Sequence, residues 1–251
     1  KRRTNIMAEA KNEYGDQSGG PKSEYEQYNC ILMFSGGPDS TTLLKKLLKE
    51  NKKPLLMYMI TGSKGSMDCT DSECKVATKT AKSFGMELET WHYGRELKSK
   101  FPHGMMACVH CGGNFIPFAM ANIYAAISSV AIYRGIPEVY FAYHKDDSKE
   151  AIMYSPKFLE HVNSLIKLSE GGDQTVAMVA PFHEMTKLEV MELGKELGVE
   201  FHNTWTCMDP PGFGSKHHCG KCSACSMRIE TFKKANIDDK TKYKRKNDDD
   251  K

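Results

Sequence analysis

The sequence has no long apolar run. No stretch reaches the roughly 18 residues that suggest a membrane span, so no membrane role is expected. It also lacks an excess of charge of either sign: 35 Lys and Arg stand against 32 Asp and Glu, a net charge of +3. So small a surplus argues against a global field for nucleic acid. The first residues are polar, so no secretory signal is expected at that end. Residues 1–27 do not open on methionine and are rich in Lys, Glu, Gly and Ser; they read as a flexible leader, left from something removed. There is no internal repeat, and no Gly-Lys-Ser/Thr of a Walker loop. Nine cysteines, an odd number in 251 residues, argue against a secreted disulfide scaffold. Their two-residue spacings point to metal or thiol chemistry in a reducing cytosol, so a cytoplasmic protein is expected.

What is present is an alternation of strand and helix patterns. Five short apolar runs read as strands: Cys30–Ser35, Pro54–Gly62, Met86–Gly94, Glu138–Asp147 and Thr175–Pro181. Such runs suit strands buried on both faces. Between and after them lie helical patterns at 41–51, 72–85, 115–135, 155–170 and 186–198. Gly85 is the expected stop of the second, Ser155-Pro156 the start of the fourth, and Thr186 with Glu189 a capping box opening the last. The expected fold class is α/β: a doubly wound, mostly parallel five-stranded sheet with helices on both faces and a C-terminal zinc-binding helical or loop segment. Ligands on such sheets sit beyond the C-terminal strand ends.

The first strand ends in Ser35-Gly36-Gly37-Pro38-Asp39-Ser40-Thr41 and passes at once into a leucine-rich helix. Gly36 and Gly37 permit a tight turn and close approach of backbone to a ligand. The helix start supplies N–H groups and a positive pole. Ser35, Ser40 and Thr41 add hydroxyls. The set fits a polyphosphate, with Asp39 placed to hold Mg²⁺ or to order the loop. The ordinary alternative is a bare strand–turn–helix corner. The string is similar to the PP-loop of the ATP pyrophosphatase superfamily, Ser-Gly-Gly-x-Asp-Ser, which implies ATP cleaved to AMP with pyrophosphate held by the loop.

Near the other end, Cys207 precedes Cys219-x-x-Cys222-x-x-Cys225. Four thiolates at this spacing suit tetrahedral Zn²⁺; an iron–sulfur cluster or redox thiols are the alternatives. His217 and His218 read as bystanders or substrate contacts.

These pieces, in this order, carry a narrower resemblance. Thr186-Lys187-Leu188-Glu189, Thr204-Trp205-Thr206-Cys207, the three further cysteines and the segment from Arg228 to Tyr243 look like the 7-cyano-7-deazaguanine synthases, across residues 30–243. The resemblance implies an adenine-nucleotide alpha-hydrolase-like fold and an ATP-dependent C–N ligase, in which a 7-deazaguanine carboxylate is adenylated and then aminated by ammonia. It makes Lys187 the cation nearest the phosphates and the four cysteines zinc ligands. It divides the chain into a PP-loop domain at 28–203, a zinc-binding segment at 204–243 and a charged tail at 244–251. Asp146 and Asp147 are candidates for Mg²⁺, for the base, or for a helix cap.

Two segments depart from the family pattern: Ile60–Cys74, and Ala107–Asn114 with its Cys108-x-x-Cys111. Cys108 and Cys111 are candidate catalytic thiols beside Asp39 and Lys187, or a second metal pair with Cys69 and Cys74. The departures keep two variants open. One joins the activated carboxylate to another amine, such as a protein N-terminus, as in members of the broader family associated with anti-phage defence. The other transfers sulfur. A zinc-dependent nucleotide-sensing scaffold is the non-enzymatic alternative. Expected partners are the small-molecule substrate, ammonia or another amine, a protein partner in the defence variant, and a second copy in a homodimer.

Overall fold

The computed structural model describes residues 22–60, 69–92, 104–105, 114–115, 119–172, 175–209, 215 and 217–244. In chain order the elements are α1 (Lys22–Tyr25), β1 (Cys30–Met33), α2 (Pro38–Lys49), β2 (Pro54–Ile60), α3 (Cys69–Ser83), β3 (Leu88–His92), β4 (Gly104–Met105), β5 (Asn114–Phe115), α4 (Ala119–Arg134), β6 (Glu138–Tyr140), α5 (Lys145–Glu150), α6 (Pro156–Ser169), β7 (Ala177–Val179), α7 (Lys187–Glu196) and α8 (Ser223–Lys234). One-turn 3₁₀ helices at Ile152–Tyr154 and Phe201–Asn203 join them. The five strands form one sheet in the order β3-β2-β1-β6-β7, and every pairing in it is parallel. β4 and β5 form a separate parallel pair.

Strand alternation explains the three layers. Leu32, Phe34, Leu56, Tyr58 and Tyr140 face one side, where α2, α3, α7 and α8 supply Leu43, Leu47, Ala77, Ala81, Val190, Met191 and Phe232. Ile31, Leu55, Met57, Val139 and Phe141 face the other, against Ile123, Tyr124 and Ile127 of α4 and Leu159 and Ile166 of α6. A strand with both faces covered has no polar alternation, which is why these runs read as continuously apolar. The doubly wound class is therefore as expected. So are the caps: Ser155 accepts the Phe158 N–H at the start of α6, and Thr186 with Glu189 closes a capping box on α7.

Several boundaries differ from expectation. β6 stops at Tyr140 instead of running to the acids, and Lys145–Glu150 is helical. The cause is local: the His144 main-chain N–H donates to Asp147 Oδ2 at 3.0 Å and His144 Nδ1 accepts the Asp147 N–H at 3.3 Å, a capping box that turns the chain. α4 begins at Ala119, two residues beyond Pro117, instead of at Phe115, which pairs in β5. Inside the stretch expected as a flexible leader, residues 22–25 are helical, and Tyr25 packs under the Arg134 guanidinium at 4.3 Å.

Candidate functional site

The sheet order places the site. From β1 the chain winds outward through β2 to β3, then returns to β6 beside β1 and winds the other way to β7. The loops leaving β1 and β6 diverge, and the crevice between them is the topological switch point where ligands bind in such sheets. The two loops are residues 34–37 after β1 and 141–144 after β6.

The first loop is held in shape by its own backbone. Gly36 has φ +70°, and its missing side chain lets it lie against α3. Gly37 precedes α2 and, being glycine, puts no side chain over the first helical amides. Ser35 Oγ lies 3.1 Å from Ser40 Oγ and accepts the Gly37 N–H at 3.3 Å. Ser40 and Thr41 hydroxyls donate to the Gly37 carbonyl at 3.2 and 2.8 Å. A tight cradle with an uncapped 12-residue helix behind it could hold an anion.

Asp39 and Lys187, 148 positions apart in sequence, meet here: Lys187 Nζ donates to Asp39 Oδ2 at 2.5 Å. Asp39 Oδ1 is buried and has no hydrogen-bond partner among the described residues. Burial pushes the Asp39 carboxyl up, but the Lys187 ammonium, His144 and the Lys187 hydrogen bond outweigh it and hold it below its ordinary range. Asp39 is thus ionised, with one oxygen to spare, beside a loop of N–H groups. Such a carboxylate suits a hydrated cation such as Mg²⁺ arriving with a nucleotide. Asp146, in the first turn of α5, accepts the Lys187 N–H at 2.8 Å and so fixes the first residue of α7. Asp147 is occupied with His144. Both acids therefore have capping work.

The C-terminal cysteines converge. The Sγ atoms of Cys207, Cys219, Cys222 and Cys225 lie within 4.8 Å of one another, and all but Cys222 are buried. Cys219 and Cys225 sulfurs are 3.9 Å apart, close to the edge of about 3.8 Å that a tetrahedron of 2.3 Å zinc–sulfur bonds requires. Main-chain N–H groups point at the sulfurs: Cys219 to Cys207 at 3.2 Å, Cys222 to Cys219 at 3.3 Å, Cys225 to Cys222 at 3.4 Å. The Cys225 thiol, against the effect of burial and with the Cys219 amide, draws Cys207 down to about 6. This donor set could hold a metal. His218 is not part of it. Its Nε2 accepts the Thr206 N–H at 3.0 Å and its ring lies 4.4 Å from Trp205.

The two centres touch. Trp205 N–H donates to the Gly36 carbonyl at 3.0 Å, and Val76 of α3 packs on the Trp205–Cys207 cluster. Behind them, the buried Arg228 donates to Thr204, Thr206 and Thr241 hydroxyls and to the Phe201 carbonyl at 2.7–3.0 Å. Cys74 packs on the core of the α3 face. Cys108 and Cys111 lie outside the described residues, as does the side chain of Cys69, so the second metal pair and the candidate thiol nucleophile find no placement here.

Residues 29–236 match the family described as Queuosine biosynthesis protein QueC. The chain belongs to this family. Among curated relatives, the 7-cyano-7-deazaguanine synthase of Desulfotalea psychrophila is 29% identical over 225 residues, covering 86% of this chain and 98% of that protein. The 7-cyano-7-deazaguanine synthase 1 of Colwellia psychrerythraea is 24% identical over 218 residues, covering 85% and 97%. Among solved structures, the U34-tRNA thiolase NcsA from Methanococcus maripaludis is 19% identical, with a TM-score of 0.46, covering 82% of this chain and 66% of that one. No helix among the described residues is long and apolar enough to cross a membrane.

Sequence reasoning did not find His144 or Arg228. A His-x-x-Asp capping box just past a strand was the local signal for His144. Arg228 gave none, since its partners lie 13 to 27 residues away.

Proposed function

We propose that the protein is an ATP-dependent ligase that activates a 7-deazaguanine carboxylate by adenylation and converts it, with ammonia, to the amide and then the nitrile. The observation that carries this reading is the Asp39–Lys187 pair set in the Ser35–Ser40 loop at the sheet's switch point, in a chain of the QueC family. The carboxylate oxygen attacks the α-phosphorus of ATP, and the bond to pyrophosphate breaks. Ammonia adds to the acyl carbon, AMP leaves with the C–O electron pair, and a proton is lost. A second ATP takes the amide oxygen in the same way. AMP departs again with the C–O electron pair, both amide protons are lost, and the C≡N bond forms. The loop amides and the start of α2 hold the pyrophosphate, Lys187 neutralises phosphate charge as it develops, and Asp39 takes the Mg²⁺ that accompanies ATP. Cys207, Cys219, Cys222 and Cys225 hold a structural zinc, since a closed set of four thiolates leaves no open position for chemistry.

A second reading is supported by the departures at Ile60–Cys74 and Ala107–Asn114: the same activation, with a different amine as acceptor and an amide conjugate as product. Mass spectrometry after incubation with ATP, 7-carboxy-7-deazaguanine and ammonia separates the two. The first reading expects nitrile and two AMP per product; the second expects adenylate and AMP but no nitrile. ADP as the nucleotide product contradicts both. Asp39→Ala is expected to lower AMP release about a hundredfold.

A further inference from the structure

His144 is 4% exposed, stands at the switch point and has no part in the reaction described above. The capping box locks its ring. Nδ1 accepts the Asp147 N–H at 3.3 Å, which leaves Nε2 as the ring nitrogen that can donate. Nε2 faces Asp39 Oδ1 across 3.8 Å. That oxygen is the buried acceptor without a partner, while Oδ2 is taken by Lys187. The gap is about 0.9 Å longer than an ordinary N–H···O bond, so a small rotation of the Asp39 carboxylate makes one.

Lys187 has two claims on it. Without nucleotide it neutralises Asp39. A polyphosphate in the loop competes for the same ammonium with more charge; the Mg²⁺ that comes with it takes the Oδ2 that Lys187 leaves, and the buried Oδ1 is costly to keep without a donor. We infer that His144 is a positioning residue that takes up Asp39 through Nε2–H when Lys187 is drawn onto the nucleotide phosphates, so that Asp39 stays ionised and oriented while its first partner leaves. The inference rests on the ATP-binding reading above. It also accounts for the locked ring, since a donor held in place by the Asp147 cap loses little freedom when it engages.

The test is calorimetric ATP binding to the full chain, with AMP-forming kinetics beside it. His144→Phe removes the N–H and is expected to weaken ATP binding about tenfold, raising KM for ATP more than it lowers kcat. His144→Gln offers an amide N–H near the place of Nε2 and is expected to recover most of the loss. In an Asp39→Asn background, which removes the charge His144 serves, His144→Phe is expected to change ATP affinity little further. Wild-type affinity in a folded His144→Phe protein overturns the inference. So does an equal loss in the Asp39→Asn background, the mark of a packing role. Should His144→Phe not fold, ¹⁵N-histidine spectra of the wild type decide: an Nε2-protonated neutral ring whose shift moves on ATP addition supports the inference, and an Nδ1-protonated ring or no movement overturns it. A wild type that binds no ATP overturns this inference together with the function it rests on; binding without a His144 effect overturns this inference alone.

Discussion

Two adjacent glycines in the loop after β1 should respond to alanine very differently. Gly36 has φ +70°, and a Cβ built on it lies 2.5 Å from Ala77 Cα and 2.8 Å from Ala77 N, both backbone atoms of α3. A left-handed conformation costs a non-glycine residue roughly 1–2 kcal/mol. Forcing atoms into a packed contact typically costs about 1–3 kcal/mol. Ala77 is fully buried and cannot step aside without moving its helix, so the two penalties add, to about 2–5 kcal/mol. At about 2–4 °C per kcal/mol for a chain of this size, Gly36→Ala is expected to lower Tm by about 4–20 °C. Gly37 has φ −76° and ψ 167°, which any residue adopts. Its Cβ would meet Ser35 Oγ at 3.2 Å and Trp205 O at 3.3 Å, tight contacts that a few tenths of an ångström relieve. Gly37→Ala should cost no more than about 1 kcal/mol. Thermal and urea unfolding of both variants at fixed metal content measure the difference. Equal stabilities, or Gly37→Ala as the worse of the two, would refute the reasoning from the α3 contact.

Cys222→Ser should remove the bound metal, one per chain by elemental analysis, and lower stability sharply, because metal binding at such a site is coupled to folding; iron in place of zinc contradicts the assignment. Asp146 sits below its ordinary range because the Lys187 N–H and the Lys149 ammonium favour its charged form. A depressed carboxylate contributes stability above its unfolded value near pH 3.9 and loses it as pH falls through the lower folded value, so the stability gap between wild type and Asp146→Asn should be full at pH 6 and shrink below about pH 4. Replacing Cys108 and Cys111 by Ser should reduce product formation and leave the C-terminal metal in place; unchanged turnover returns both to ordinary free cysteines.

The parts that were legible in the sequence are those governed by neighbours along the chain. The five apolar runs, the Thr186–Glu189 box, the Ser155-Pro156 start and the glycine turn after β1 each follow from local spacing or backbone preference. The strand order does not, because Cys30–Met33 would be equally apolar beside any two partners. The site's charge arrangement was half legible. Asp39 and Lys187 each stood out in their own motif, but the bond between them is closed only when α7 packs on α2. His144 looked like a strand residue because the apolar run before it continues through Tyr143. Only the turn made by its cap brings its ring back to Asp39.

The juxtaposition of loop and thiolates gives a metal at the four sulfurs a structural task beside the loop after β1. The main chain from Thr204 to Cys207 is one wall of the loop: Trp205 N–H holds the Gly36 carbonyl, the Trp205 indole N–H donates to the Cys207 carbonyl at 2.8 Å, and Cys207 is the first of the four sulfurs. Only one residue separates the loop contact from the metal-binding sulfur. Arg228 reaches the same wall from α8, whose N-cap is Cys222. A metal bound by all four sulfurs therefore fixes both ends of the segment that presses on Gly36. Structural zinc binding is worth about 10–16 kcal/mol, as much as the whole stability of a typical domain. One hydrogen bond to Gly36 is worth about 1 kcal/mol on its own. It can hold the left-handed Gly36 in its turn only if its donor does not move, and a metal bound by the four sulfurs would keep that donor still.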